Sequence, residues 1–270
     1  MATDVSPRPL VDSYDDVRAR LAGSRRLLCC LDFDGTLAPI VEDPDEATAL
    51  PATERALASL VADSRVTTAI VSGRALADVR RRIAGPRLYA GNHGLELARD
   101  ESIAVHPVAR KRAKRLGVVC SVLETVLDPV PNIRIENKRL TGTVHVRTVP
   151  AEARPLVTRL TRRTVDRVGE GTLSVSTGKR VIEIGPSIPW GKGNAVALLE
   201  ADQPPGTTTL YIGDDVTDES AFRAIAPDGI GIRVGQASPS AAAYRVSSPA
   251  DVATFLEWLD STGLDALEQI

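Results

Sequence analysis

The chain has 270 residues, 43% of them hydrophobic and 25% charged, the balance of an ordinary folded protein with one large domain or two small ones. Its formal net charge of −2 argues against a nucleic-acid binder held mainly by phosphate attraction, and no apolar run approaches the length that crosses a bilayer. Cys29 and Cys30 are adjacent and Cys120 is far off, which is neither a disulfide framework nor a zinc spacing; reduced thiols and the lack of a leader-like apolar core in residues 1–7 give a cytoplasmic expectation.

In chain order, a polar lead-in with a short helix over 14–22 comes first. Residues 27–31, Leu-Leu-Cys-Cys-Leu, are apolar without alternation, as in a strand buried on both faces of a parallel sheet. That strand ends on Asp32 and Asp34, and Gly35 lets the backbone turn sharply after them. Ligands of open α/β sheets bind outside the carboxyl ends of the strands, so two carboxylates stand at the mouth of a candidate site. A loop over 44–51 leads to an amphipathic helix over 53–62, with Leu57, Leu60 and Val61 on one side. A second strand, 66–71, ends on Ser72-Gly73-Arg74. Helix 75–83 is stopped by Gly85-Pro86, and a third strand, 88–90, ends at Gly91-Asn92-His93-Gly94.

The alternation then changes. A long helix over 106–128 opens on the basic run 110–115. Strands 133–137 and 143–148 read as a hairpin, joined at 140–142. A helix over 150–168 follows, then a second hairpin, 172–176 and 181–184, around Gly178. After Pro186 the alternation resumes: helix 192–200, buried strand 208–212 ending on Gly213-Asp214-Asp215, helix 218–225, strands 230–234 and 244–246, and helix 252–259. The expected fold class is α/β: a Rossmann-like parallel-sheet core made of residues 1–105 and 186–270, with an inserted α+β domain over 106–185.

Asp32 is placed to act as a nucleophile and Asp34 as a general acid/base. A carboxylate can attack phosphorus and split a hard hydrolysis into two easier steps, and a second carboxylate can protonate the leaving oxygen and then deprotonate water. Asp214 and Asp215 add oxygens of the kind Mg²⁺ takes. Thr217, Asp218 and Glu219 also read as a helix start, where a capping hydroxyl and acids are favoured. The Ser72 hydroxyl can donate to a phosphoryl oxygen, and Lys192 opens a helix whose amides already favour an anion. The chain has five lysines against 28 arginines, yet Lys138, Lys179 and Lys192 each sit in a short motif, where a compact ammonium differs from a planar guanidinium. Strand alternation puts Glu136 and Lys138 on one face of the first hairpin, and His145 and Arg147 likewise on one face; Lys179 and Glu183 lie on the second hairpin. Such a face reads either as a wet surface laced with ion pairs or as donors and acceptors for a polyol.

Asp32-Phe33-Asp34-Gly35-Thr36-Leu37 resembles the first motif of the haloacid dehalogenase-like phosphatases, and its extension Ala38-Pro39-Ile40 resembles the trehalose-phosphate phosphatase branch. Ser72-Gly73-Arg74, Gly191-Lys192-Gly193 and the acidic stretch Gly213-Asp214-Asp215-Val216-Thr217-Asp218-Glu219 follow in the family's order, over about residues 27–220 in all. The resemblance implies a Mg²⁺-dependent phosphatase that hydrolyses trehalose 6-phosphate through an aspartyl-phosphate. In it Asp32 is the nucleophile, Asp34 the acid/base and Lys192 the phosphate-binding lysine that offsets Asp32. Asp32, the main-chain carbonyl of Asp34, and Asp214 would hold the metal, with Asp215 and Asp218 as ligands or neighbours. The insert would be a cap that closes to exclude water; there Glu136, Lys138 and Glu183 would grip the distal glucose, joined by Arg147 and Lys179. In the core, His93 reads either as a lone core histidine or as a further substrate-facing candidate. The implied partners are a small sugar phosphate and a trehalose-phosphate synthase, with no nucleic acid or membrane, for a monomeric chain. The alternatives are the same mechanism on sucrose phosphate, a glycosyl phosphoglycerate or a pseudo-disaccharide phosphate, or a non-catalytic sugar-phosphate-binding domain. Asp32, Asp34, Lys192 and Asp214 together argue against the last, since a pure binder needs no nucleophile.

Overall fold

The computed structural model describes residues 6–178, 180–236 and 239–268. Among these, nine strands form one sheet: β1 (Arg8–Pro9), β2 (Arg26–Leu31), β3 (Val66–Val71), β4 (Leu88–Gly91), β5 (Glu96–Arg99) and β6 (Ser102–Val105), then, after an insertion, β11 (Thr207–Gly213), β12 (Ile230–Val234) and β13 (Tyr244–Val246). Their spatial order is β1-β13-β12-β11-β2-β3-β4-β5-β6. From β1 to β4 all neighbours are parallel, and β5 runs antiparallel to β4. The chain steps from β2 to β3 and β4 on one side, then returns with β11 on the other side of β2. Strand order therefore reverses at β2, and the crevice at such a switch point is where α/β sheets bind ligands.

The apolar run of β2 explains why it is central. Leu27, Cys29 and Leu31 face one core, and Leu28 and Cys30 face a second, as the two-residue period of a strand requires. The first core is closed by α1 (Tyr14–Leu21), α2 (Pro51–Ala62), α3 (Leu76–Arg82) and α8 (Pro249–Ser261) through Val17, Leu57, Val79 and Phe255. The second is closed by α6 (Lys192–Ala201) and α7 (Glu219–Ile225) through Val196, Leu199 and Phe222.

The chain divides into two compact units, one made of residues up to Ile103 and from Trp190 onward, the other of Ala104–Pro189. The second carries α4 (Pro107–Leu127), α5 (Arg154–Val168) and a four-stranded antiparallel sheet in the order β7 (Arg134–Asn137), β8 (Gly142–His145), β10 (Val181–Pro186), β9 (Leu173–Gly178). The two expected hairpins are thus joined edge to edge through β8 and β10. This unit has its own core, with Leu116, Cys120, Leu123, Val144 and Ile182 among its residues. Each of the chain's three cysteines therefore lies in a different core. No helix among the described residues is long and apolar enough to cross a membrane.

Some elements depart from expectation. The edge strands β1 and β6, and β5 beside β6, were not foreseen; they are short, β6 is largely exposed, and pairing rather than local composition makes them strands. The helix expected from residue 150 begins at Arg154, because Pro155 lacks the N–H that a helix interior needs and suits the first turn instead.

Candidate active site

Three adjacent parallel strands end together. Asp32 follows β2, Ser72 follows β3 and Asp214 follows β11. The Asp32 amide still donates to the Ile212 carbonyl at 2.9 Å, so the β2–β11 ladder carries the aspartate to its place. After Phe33 the chain folds back: the amides of Leu37 and Ala38 donate to the Phe33 carbonyl at 3.0 and 2.9 Å. Gly35 makes that turn possible with φ +82, and a Cβ there would stand 2.3 Å from Asp214 Oδ2. The Asp214 carboxylate lies where any other residue's side chain would be.

Lys192 sits at the first position of α6 and is only 3% exposed. Its Nζ donates to Asp32 Oδ1 at 2.8 Å and to Asp218 Oδ1 at 2.7 Å. Asp218 also accepts from the Tyr211 hydroxyl at 2.5 Å, and its Oδ2 from the Asp215 amide at 2.8 Å. Burial works against the charge of Lys192, but Asp218 and Asp32 prevail and raise its pKa above the ordinary lysine value. Burial drives the Asp32 carboxyl well above the usual carboxylate range despite Lys192, and repulsion from Asp218 and Asp214 adds to it. The buried Tyr211 hydroxyl is pushed up by burial and by Asp218.

Oxygens of Asp32, Asp214 and Asp218, all buried, lie within 4.8 Å of one another. Three carboxyl groups share this small volume with one ammonium, and their mutual repulsion is part of what raises Asp32; hard oxygen donors are what Mg²⁺ prefers. The donor set therefore fits a divalent cation. The two oxygens of Asp218 accept from Lys192, Tyr211 and the Asp215 amide, so the protein itself already holds that carboxylate from three sides. The side chain of Asp215 lies outside this cluster, and its Oδ1 is buried without a hydrogen-bond partner among the described residues.

Asp34 is turned toward β3. Its Oδ2 accepts from Arg74 Nε and its Oδ1 from Arg74 Nη2, both at 2.7 Å. Burial opposes the Arg74 charge, but Asp34 and Asp78 outweigh it and raise the guanidinium above its ordinary value. Ser72 is buried, and its Oγ accepts from the Arg74 amide at 3.2 Å. The motif around His93 braces this turn from behind. The Asn92 amide donates to the Arg74 carbonyl at 2.6 Å and the His93 amide to the Ser72 carbonyl at 2.9 Å. The His93 ring lies against Gly73, where a Cβ would meet His93 Cε1 at 2.6 Å. Arg74, Tyr211 and Asp218 make the links that sequence reasoning missed or left open. Only the Ser-Gly-Arg spelling hinted at the first.

In the second unit the register aligns Glu136, Thr143 and Glu183 across β7, β8 and β10, on the face opposite the core residues Val144 and Ile182. Thr143 Oγ1 donates to Glu183 Oε1 at 2.9 Å, Lys138 Nζ stands 3.4 Å from Glu183 Oε2, and His145 Nε2 lies 3.0 Å from Glu136 Oε2. Burial works to raise Glu136, but the hydrogen bond to His145 and the charge of Lys138 hold it below the ordinary value. Glu136, Lys138 and Glu183 are thus brought together. Arg147 lies past the end of β8, where its carbonyl accepts from Arg154 Nη2 at 3.0 Å. Lys179 lies outside the described residues.

The trehalose-phosphatase family model matches residues 30–250. The trehalose-phosphate phosphatase of Mycobacterium marinum is 37% identical over 234 residues, which cover 83% of this chain and 59% of that protein. The corresponding protein of Mycobacterium tuberculosis (strain ATCC 25618 / H37Rv) is 36% identical over 245 residues, covering 84% and 60%. The chain thus spans 59 to 60% of the length of these curated relatives. The C-terminal domain of Candida albicans trehalose-6-phosphate phosphatase shares the fold, with a TM-score of 0.81 over 95% of this chain and 98% of that one at 22% identity. A match that begins inside β2 and ends beyond β13, taking in every strand end that carries the cluster, means that the chain belongs to the trehalose-phosphatase family.

Proposed function

We propose that the chain is a phosphoric monoester hydrolase that converts trehalose 6-phosphate to trehalose and phosphate. The observation that carries this is the buried set of Asp32, Lys192, Asp218 and Asp214 at the ends of β2 and β11. An oxygen of Asp32 attacks phosphorus, the bond from phosphorus to the sugar O6 breaks, and a phosphoaspartyl group forms. Asp34 protonates the departing O6. A water then attacks phosphorus while Asp34 takes its proton, and phosphate leaves with Asp32 restored. Lys192 and Ser72 supply donors for the phosphoryl oxygens, and Lys192 restrains Asp32 through the 2.8 Å contact. A Mg²⁺ ion held by Asp32 and Asp214, with the Asp34 carbonyl that the family resemblance implies, would neutralise charge on the phosphoryl group.

Glu136, Lys138 and Glu183 are proposed to hydrogen-bond the sugar hydroxyls, with Arg147, Lys179 and His93 as further contacts. Thr143 and His145 would keep the two glutamates in place, since Glu183 accepts from the Thr143 hydroxyl and Glu136 from the His145 ring. The same proposal carries the expectation of a cytoplasmic, monomeric enzyme with a trehalose-phosphate synthase as its protein partner. The test is phosphate release from trehalose 6-phosphate beside a panel of other sugar phosphates, with Mg²⁺ and then with EDTA, using Asp32→Asn as control. Mg²⁺-dependent preference for trehalose 6-phosphate that vanishes in the variant is expected. A different preferred sugar phosphate would move the substrate claim, and no release from any ester by a folded chain would overturn the function.

A further inference from the structure

We propose that Arg74 is a positioning residue for Asp34, fixing the direction in which that carboxylate can exchange a proton with the leaving oxygen. The proposal rests on the function given above. Asp34 is far more exposed than Asp32 or Asp218: its side chain is 37% exposed against 5% and 0%, whereas that of Arg74 is 11%. On its own, a half-exposed aspartate at a turn would sample several rotamers, and proton transfer needs the carboxylate within hydrogen-bond reach of one particular oxygen. Arg74 removes that freedom. Its Nε and Nη2 meet the two oxygens of Asp34 side by side at 2.7 Å, the forked geometry that fixes the plane of a carboxylate and that a lysine cannot reproduce.

The guanidinium is itself held from several directions. Nη1 donates to Asp78 Oδ2 and Nη2 to the Pro44 carbonyl, each at 2.8 Å, and the guanidinium carbon stands 5.4 Å from the centre of the Phe33 ring. The main chain of Arg74 is pinned by the Asn92 amide and the Ser72 hydroxyl. With its donors engaged in this way, Arg74 is built to hold a carboxylate rather than to bind the phosphoryl group. The competing explanation is purely structural, that Arg74 ties the loop at Pro44 to α3 through Asp78.

The two explanations separate by leaving group. An alkoxide such as the sugar O6 needs a proton as it departs, whereas p-nitrophenolate does not. Arg74→Gln is expected to lower kcat/KM for trehalose 6-phosphate by about tenfold or more beyond its effect on p-nitrophenyl phosphate. In an Asp34→Asn background the same change should cost nothing further on the sugar phosphate, because a residue that acts only through Asp34 has nothing left to position. Arg74→Lys keeps the cation beside Asp78 but cannot serve both oxygens of Asp34; it should show the same split and carries the test where the glutamine variant does not fold. Equal losses on both esters, or an additive loss with Asp34→Asn, would overturn the assignment of Arg74 while leaving the function intact. A wild-type chain that cleaves neither ester would remove the function and this role together.

Discussion

Lys192 is the counter-ion of the buried cluster, and its removal has a calculable cost. In Lys192→Met a side chain of similar length keeps the packing at the head of α6 but leaves Asp32 and Asp218 without the ammonium that now stands 2.8 and 2.7 Å away. Breaking one partner out of a buried ion pair costs about 3–5 kcal/mol. At about 2–4 °C per kcal/mol for a domain of this size, the melting temperature in EDTA near pH 8 should fall by about 6–20 °C. The sign of the pH dependence follows from Asp32. Its folded-state pKa is already raised, chiefly by burial, and rises further without Lys192. Across the window from the ordinary carboxylate pKa up to that raised value, the folded state binds more protons than the unfolded one. Stability in that window therefore falls as pH rises. The deficit of the variant should thus be larger near pH 8 than near pH 5. Adding Asp218→Asn should recover at least about 1 kcal/mol, since removing both halves of a buried pair costs less than removing one. Differential scanning calorimetry of the parent, Lys192→Met and the double variant at both pH values measures all of this. A Lys192→Met chain that melts within about 2 °C of the parent near pH 8 would refute the account of Lys192 as counter-ion.

Tyr211→Phe should destabilise the protein by about 1.5–3 kcal/mol in urea titration, the cost of losing a hydrogen bond to a charged group. Its ring would keep the edge-on contact with Phe222, 5.5 Å between centroids, so the loss can be assigned to the hydroxyl bonded to Asp218. Gly35→Ala should leave a folded chain strained by about 1–2 kcal/mol that no longer gains thermal stability from millimolar Mg²⁺. The new Cβ takes the space 2.3 Å from Asp214 Oδ2; an unchanged Mg²⁺-induced rise would show that Asp214 does not hold the ion.

How much of this was legible beforehand depends on how local each signal is. β2 could be read because a strand buried on both faces writes an unbroken apolar run, and its end then marks Asp32 and Asp34. Lys192 and Asp214 were found by their places at a helix start and a strand end. Asp218 was harder: by position it is an ordinary acid at a helix start, and only the fold shows it fully buried between Lys192 and Tyr211. Tyr211 belongs to an apolar strand, where nothing in the residue order reveals that its hydroxyl reaches back toward the end of that strand. Arg74 lies 40 residues from the carboxylate it holds, a separation that no spacing rule connects. His93 has an evident role only once Gly73 is seen beneath its ring. In the second unit alternation revealed the polar face of each hairpin, but the β8–β10 pairing that unites Thr143 with Glu183 is a tertiary fact.

The placement of the cysteines gives the chain a set of built-in probes. Cys29, Cys30 and Cys120 are each at most 1% exposed, one in each core. Burial pushes the Cys29 thiol up to about 12 and Cys120 to about 11, and pushes Cys30 up as well. Since only the thiolate reacts, a maleimide or disulfide reagent finds no target in the native chain. Each site becomes labelled only as fast as its own core opens. Single-cysteine versions would then time the exposure of either face of the large sheet, and of the inserted unit, by mass spectrometry and without introducing a new cysteine. Adjacent residues would report on opposite sides of one sheet.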